Sequence, residues 1–263
     1  MLIESAVHLP DHLGMLQRIF TMPDAALLIR ILIRWAHFVG GITWIGMLYF
    51  FNLVNVNFQK AIDAPTKKVV NPNLLLPALW YFRWGAVVTV LAGLTYFATY
   101  YLASDTRNAN TLGRASANVW LILIVWLLIP CITFAIEYFI IMKAGVNDGR
   151  VLAVIVAVLV VLMAVASTYW LNSQLMGANG ESYASNHSLS IGIGGGLGII
   201  MLLNVWGIIW PAQKRIIAGM VSGDAAPPDL GRKAFLASRA NAWLSLPMLF
   251  FMATAGHYVI LGK

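Results

Sequence analysis

Six long runs of apolar residues, separated by short polar stretches, constrain the fold of this chain more than any other feature. Each run has the length of about 20 residues that an α-helix needs to cross a bilayer. The runs cover residues 27–51, 80–103, 117–142, 151–171, 188–210 and 234–261. Hydrophobic residues make up 60% of the chain and charged residues only 10%, too few to cover a water-soluble domain. We therefore predict an all-α, polytopic transmembrane helix bundle of about six spans.

The stretches between the runs are short and rich in residues that favour turns. We predict turns at residues 63–65, 71–73, 147–149 and 223–228, where Asn, Asp, Gly and Pro cluster. None of these stretches is long enough for a second folded domain, so residues 1–263 are interpreted as a single integral membrane domain. Residues 1–26 lack the pattern of a cleavable signal peptide. They are predicted to form a short amphipathic helix at the membrane surface.

The distribution of Lys and Arg predicts the orientation of the bundle. The loops after the first, third and fifth spans hold nine of these residues. The other side holds four, or six when Arg30 and Arg34 of the first span are included. Because positively charged loops stay in the cytoplasm, both termini are predicted to lie on the opposite, outer side. The net charge of +7 is thus interpreted as a topology signal, and no run of five like charges indicates nucleic-acid binding.

Two histidines fall within the outer halves of different spans. His37 lies in the first span and His257 near the end of the sixth, at similar depth in the predicted topology. Imidazole is a common haem ligand, so these residues are predicted to ligate the iron of a haem b axially. Arg34, one turn before His37, suits a haem propionate, and Gly40 and Gly41 on the same helical face leave room for a flat ring. Alternatively, these residues only form contacts between helices.

Other histidines keep a second outer site open. His187 opens the fifth span on the same side, and His8 and His12 are also predicted there. A second haem or a metal near His187 is one interpretation, and solvated loop histidines are the other. The single cysteine, Cys131, excludes an intrachain disulfide and a covalent C-x-x-C-H haem attachment within this chain.

A different set of polar residues is predicted at the inner ends of the spans. It contains two arginines, one carboxylate and two amides: Arg83, Glu137, Asn204, Arg239 and Asn241. Such residues are costly inside a membrane and mark functional sites. Together with nearby tryptophans they are predicted to line a cavity for a small planar, polar or anionic molecule. The alternative is an ion pair between Glu137 and an arginine, with the tryptophans anchoring helix ends.

The glycine-rich stretch 192–198 has the spacing of a dinucleotide-binding motif, but it lies within an apolar span and follows no strand. Gly194 and Gly198 are therefore interpreted as a small-xxx-small contact between helices. The loop from Asn172 to His187 contains polar residues but no Lys or Arg. It is predicted to be an outer lid or a partner surface.

Several stretches together resemble the N-terminal membrane domain of the bacterial membrane-bound, cytochrome-c-linked urate oxidases. In the first span they are Arg34-Trp-Ala-His37, Gly41-Ile-Thr-Trp-Ile-Gly46 and Tyr49-Phe-Phe-Asn52, and in the second Trp80-Tyr-Phe-Arg83-Trp-Gly85. In the fifth they are Asn204-Val-Trp206 and Ile209-Trp-Pro-Ala-Gln213. In the sixth they are Ser238-Arg-Ala-Asn241, Leu244-Ser-Leu-Pro-Met-Leu-Phe250 and His257. The start of the first span also resembles other small membrane haem proteins.

This resemblance implies a protein of the bacterial inner membrane that passes electrons from a small substrate to a cytochrome c. In the urate oxidases the cytochrome c is fused to the membrane domain. Because this chain has no C-x-x-C-H motif, we expect either a separate cytochrome c or a larger membrane complex as partner, and a homo-oligomer is a further possibility. Substrate is expected at the inner polar residues, with Glu137 as proton acceptor. The main alternative is a non-catalytic accessory subunit of a respiratory or photosynthetic complex, and a weaker one is a transporter.

Overall fold

Six long helices make up the part of the chain that this computed structural model describes, residues 22–224 and 226–262. They are α1 (Ala25–Ala61), α2 (Ala64–Thr111), α3 (Val119–Met142), α4 (Gly149–Gln174), α5 (Asn186–Ser222) and α6 (Leu230–Ala255). Within these residues the only β-type pairing is an isolated antiparallel bridge between Met176 and Ser182. The predicted all-α bundle is confirmed. The predicted surface helix falls mostly on residues 1–21, which lie outside the described part.

The helices α1 to α5 are each long and apolar enough to cross a membrane. The sixth predicted span also forms a helix of 26 residues. It is less apolar, because it carries Ser238, Arg239, Asn241 and Ser245 along its length. We call the end of the bundle that holds the α1–α2, α3–α4 and α5–α6 connections the inner end, and the opposite end the outer end.

Three of the helices are longer than predicted because π-helical segments continue them instead of ending them. These segments are Phe50–Asn55 in α1, Asn71–Leu75 and Phe97–Leu102 in α2, and Val205–Ile209 in α5. The predicted turn at residues 71–73 is wrong, since α2 runs through it as a π-helical segment that accommodates Pro72. The predicted turn at residues 63–65 is confirmed at its start, where α1 has ended and Asp63 precedes α2. The Asp63 side chain accepts a hydrogen bond from the Thr66 N–H and caps α2.

Helix α5 is the centre of the bundle. Of its first 19 residues, 14 are buried, and it packs against α2, α3, α4 and α6. Its glycines permit close approach: a Cβ at Gly194 would lie 3.2 Å from the carbonyl oxygen of Met248, and one at Gly196 would lie 2.8 Å from the Met163 sulfur. Gly198 also faces Met248. The interpretation of Gly194 and Gly198 as a helix contact is therefore confirmed.

Helix α1 occupies the edge of the bundle. It packs mainly on α2 and exposes apolar side chains along its length, among them Ile31, Trp35 and Ile42. Its hydrogen bonds to α6 come only from its inner half, at Tyr49 and Asn52.

Candidate functional site

Three buried polar side chains from three helices form a hydrogen-bonded chain towards the inner end of the bundle. They are Glu137, Asn204 and Asn241, and we call them the Glu137 chain. The side-chain amide of Asn204 on α5 donates to Oε1 of Glu137 on α3 at 3.1 Å and to Oδ1 of Asn241 on α6 at 3.0 Å. Asn241 donates to the carbonyl oxygen of Met201 at 2.9 Å. Glu137 is 1% exposed and both asparagines are 0% exposed. The structure thus brings together three of the five residues that the sequence predicts for the inner site.

Two groups in the Glu137 chain lack, among the described residues, the partners that burial normally requires. The Oδ1 atom of Asn204 is buried and accepts no hydrogen bond from the described residues. Glu137 has no counter-charge, because the one ion pair within residues 22–224 and 226–262 joins Asp229 to Lys233. The alternative of a Glu137–arginine pair is therefore wrong. Since an unpaired buried acceptor or acid is costly, such groups are characteristic of sites that bind a ligand, a water molecule or a proton.

Arg83 belongs to α2 and packs against a different face of α5 from the one that carries Asn204. Its guanidinium carbon is 3.7 Å from the ring centre of Trp210 and 5.6 Å from that of Trp206. The Trp206 indole N–H donates to the carbonyl oxygen of Arg83 at 3.3 Å. Because Trp206 follows Asn204 by two positions, the two side chains point to different sides of the helix. The structure thus separates Arg83 from the Glu137 chain, although its Nε is also buried without a partner among the described residues.

Arg239 is also separated from the Glu137 chain, because side chains two positions apart on a helix point to different sides. It precedes Asn241 by two positions on α6, and its guanidinium carbon lies 5.3 Å from the ring centre of Phe235, one turn earlier. The predicted inner cluster is therefore divided into a carboxylate–amide chain and two arginines that stack on aromatic rings.

Two polar contacts between α1 and α6, which the sequence pattern does not predict, extend the buried polar region. The Asn52 amide donates to the Ser238 hydroxyl at 2.9 Å, and the Tyr49 hydroxyl lies 3.0 Å from the hydroxyl oxygen of Ser245. Asn52 is 4% exposed and Ser245 is 0% exposed. The signal was present in the sequence, since all four are polar residues within or directly beside predicted apolar runs.

His37 packs in the outer half of the bundle against α2. Its Nδ1 lies 2.8 Å from the carbonyl oxygen of Thr89, and a carbonyl accepts only, so Nδ1 carries the proton. In the neutral ring Nε2 then keeps its lone pair, and this arrangement is typical of histidines that bind metal through Nε2. Gly93 makes room for the ring, because a Cβ there would lie 2.8 Å from Nδ1. His37 therefore fits the role of an axial haem ligand.

Gly40, the first of the two glycines after His37, has a different role from the predicted one. A Cβ at Gly40 would lie 2.8 Å from the Thr89 hydroxyl and 3.2 Å from the carbonyl oxygen of Gly85. A Cβ at Gly41 would make only an ordinary contact with Thr89, at 3.7 Å. The interpretation that these glycines leave space for a flat ring is wrong for Gly40, where α2 fills the space.

The outer ends of α5 and α6 bring two further histidines, His187 and His257, close to each other. The His187 ring stacks on Tyr101 with ring centres 4.6 Å apart, and its Nε2 faces Gly256. His257 follows the end of α6 and is exposed. Asn186 fixes this segment, since its amide donates to the carbonyl oxygens of Ala255 and Tyr258 at 2.9 Å and its Oδ1 accepts from the N–H groups of residues 260 and 261 at 3.1 Å.

The outer histidines do not make a multi-ligand metal site by themselves. Among the described residues, no group of three or more His, Cys, Asp or Glu side chains is arranged to hold a metal ion. A haem needs fewer protein ligands than this, because the porphyrin supplies four. The predicted axial pair of His37 and His257 stays a prediction.

Fold and site together define a helical membrane domain with a buried, charge-unpaired polar chain. Residues 61–262 match the family described as urate oxidase N-terminal, and the chain belongs to this family. The match includes the Glu137 chain and His257 but begins after His37. No curated protein and no solved structure matches the chain significantly.

Proposed function

We propose that this domain is a membrane-bound oxidoreductase that oxidises a small, planar, polar substrate and passes the electrons through a haem b to a separate cytochrome c. The family relationship supports a urate-oxidase-like reaction. The observation that carries the proposal is a buried hydrogen-bonded pair, Glu137 and Asn204: among the described residues, the acid has no counter-charge and the amide oxygen has no donor.

The Glu137 chain supplies what such a substrate needs. Oxidation of a nitrogen-rich ring releases protons together with electrons, and Glu137 accepts a proton at Oε1 or Oε2. The Oδ1 atom of Asn204 accepts a hydrogen bond from a ring N–H, which replaces the donor that it lacks. Asn241 holds Asn204 in position, because Oδ1 of Asn241 accepts a hydrogen bond from the Asn204 amide and the Asn241 amide donates to the carbonyl oxygen of Met201. The substrate is thus oriented with its acidic N–H towards the carboxylate.

The haem is proposed on the outer side of this chain. His37 would ligate the iron through Nε2, because Nδ1 is held by Thr89. When bound, the haem supplies one-electron transfer. In the orientation predicted by the basic residues, the substrate side is cytoplasmic and the haem side faces the periplasm, where a soluble cytochrome c is reached.

The test is the change Glu137→Gln in the full chain, purified in detergent. Glutamine keeps a hydrogen-bond acceptor for Asn204 but cannot take up a proton. We expect urate-dependent reduction of added cytochrome c to fall by about 100-fold, the lower range for loss of a general base, while the haem spectrum is unchanged. Asp148→Asn is the matched control, because Asp148 only caps α4 at the surface and its change should leave the rate intact.

Two outcomes would contradict the proposal. If Glu137→Gln turns over urate and related purines at the wild-type rate, the carboxylate is not the proton acceptor. If wild-type protein has no Soret band, or if His37→Ala leaves its haem spectrum unchanged, the proposed haem site and the electron path through it are wrong.

A second candidate function is supported by the exposed apolar surface of α1. This helix has neighbours on little more than one side, as expected for a non-catalytic subunit packed within a larger respiratory or photosynthetic complex. Stoichiometric co-purification of such a complex from mild detergent, without urate-dependent electron transfer, would favour this function. Turnover by the isolated chain with cytochrome c would exclude it.

A further inference from the structure

Helix α1 carries a row of three basic side chains along the face that packs against α2. They are Arg30, Arg34 and His37, spaced by four and three residues, so that they project from one side of the helix. The guanidinium carbon of Arg30 lies 4.1 Å from the ring centre of Tyr100 on α2, and that of Arg34 lies 5.8 Å from Phe38. His37, at the inner end of the row, bonds to Thr89.

No acidic side chain of the described residues pairs with this row. From Ala25 to Ser104 the sequence contains one acidic residue, Asp63, in the connection between α1 and α2 at the inner end. The next, Asp105, already accepts hydrogen bonds from the backbone and hydroxyl of Ser185 at 2.9 and 2.7 Å. Within the described ranges, neither arginine forms an ion pair. Arg30 and Arg34 are both exposed, so these two like charges, one turn apart in an apolar helix, are open to an anion from outside these helices.

Arg30 lies over the Tyr100 ring and is exposed, so its N–H groups are available to a ligand. The edge of a guanidinium matches a carboxylate with two parallel hydrogen bonds. Two arginines one turn apart thus offer two carboxylate sites. Along the helix axis, at 1.5 Å per residue, Arg34 lies about 4.5 Å and Arg30 about 10.5 Å from His37. These distances are comparable with the distance from the centre of a porphyrin to its carboxylate edge.

We infer that Arg30 and Arg34 clamp the two carboxylates of a porphyrin whose iron is bound at His37. The inference rests on the proposed function, which supplies the haem, and adds the orientation of the ring. The carboxylate edge points towards the outer end of α1, away from the Glu137 chain.

The experiment measures porphyrin binding rather than turnover. Full-length protein is produced under haem limitation and titrated in detergent with iron protoporphyrin IX and with its dimethyl ester, which has the same ring without the charges. Wild type should bind the free acid at least tenfold more tightly than the ester. Arg30→Gln and Arg34→Gln should each weaken binding of the free acid about tenfold and leave ester binding unchanged. Arg107→Gln, at an exposed arginine of the outer end of α2, is the matched control and should bind as wild type.

Each result decides between distinct failures. If wild type binds neither porphyrin, the proposed haem site itself is wrong, and the clamp with it. If wild type binds both porphyrins equally, or if the arginine variants keep the wild-type preference for the free acid, haem binds but the clamp is wrong. If the variants bind porphyrin normally but lose co-purified anionic lipid in native mass spectrometry, the arginines hold a lipid phosphate instead. The acid–ester comparison in wild type decides the point even if a variant fails to fold.

Discussion

The contact between α1 and α2 beside His37 can be tested with one substitution placed at neighbouring glycines. Alanine at Gly40 puts a Cβ 2.8 Å from the Thr89 hydroxyl, 3.1 Å from the Thr89 nitrogen and 3.2 Å from the Gly85 carbonyl oxygen. The hydroxyl cannot turn away freely, because it donates to Gly85 at 2.7 Å. The other two atoms are backbone. The helices must therefore separate to accommodate Gly40→Ala.

The size of the effect follows from a comparison with two control glycines. Alanine at Gly41 meets Thr89 only at 3.7 Å, and alanine at Gly46 meets nothing within 4 Å. All three changes gain about 0.5–1 kcal/mol of helix propensity. Only Gly40→Ala adds overpacking, which costs about 1–3 kcal/mol. Because the propensity gain cancels in the comparison, Gly40→Ala should be less stable than Gly41→Ala by about 1–3 kcal/mol.

The assay is reversible unfolding in mixed micelles, followed by circular dichroism. Gly41→Ala and Gly46→Ala should unfold at or slightly above the wild-type midpoint, and Gly40→Ala below it. A haem bound at His37 should also report the change, since Thr89 accepts from the His37 ring. If Gly40→Ala proves as stable as Gly41→Ala, the close packing of α1 on α2 described above is refuted.

Three further predictions concern polar contacts. Asn204→Ala, which removes two buried interhelical hydrogen bonds, should lower the free energy of unfolding by about 1–3 kcal/mol, whereas Asn57→Ala on the exposed face of α1 should change it by less than about 0.5 kcal/mol. Asn186→Ala should speed amide exchange in residues 256–262 by at least about tenfold, and unchanged exchange there would contradict its role as an anchor. Hydrogen bonds from the Thr66 side chain and backbone lower the pKa of Asp63, so the cap should stabilise α2 above about pH 4 and be lost as the pH falls further. Asp63→Asn keeps the cap without titrating, and the exchange rate of the Thr66 amide relative to wild type should therefore differ at pH 3 and not at pH 6.

Much of the architecture was predictable because hydropathy is a sum over neighbouring residues. The six runs and their order follow from apolar length alone, and all six form helices. The errors lie at the helix ends. Nothing local in residues 71–73 distinguishes a turn from a helix that continues past a proline, and the π-helical segment that decides it depends on packing. Asn71, for example, is 3% exposed and pairs with Gln59 across the α1–α2 hairpin.

The sequence predicted the position of the site along the bundle, but not the direction in which each side chain points from its helix. The sequence predicts five polar residues together at the inner end, and three of them meet. The spacing contained a warning, because Trp206 beside Asn204 and Arg239 beside Asn241 are each two positions apart and cannot point the same way on one helix. Which member of each pair faces Glu137 depends on the rotation of the helix, and no single segment determines that rotation.

The sequence by itself determined that this chain forms a helical membrane bundle, and towards which end of the bundle His37 and Glu137 lie. These properties depend on the solvent and on distance along the chain. Only the tertiary structure decided that Glu137 bonds to an asparagine and not to an arginine, that Arg83 stacks on tryptophan, and that α2 fills the space beside Gly40. Such contacts depend on how neighbouring helices rotate and pack, because atoms far apart in sequence must share the same few ångströms.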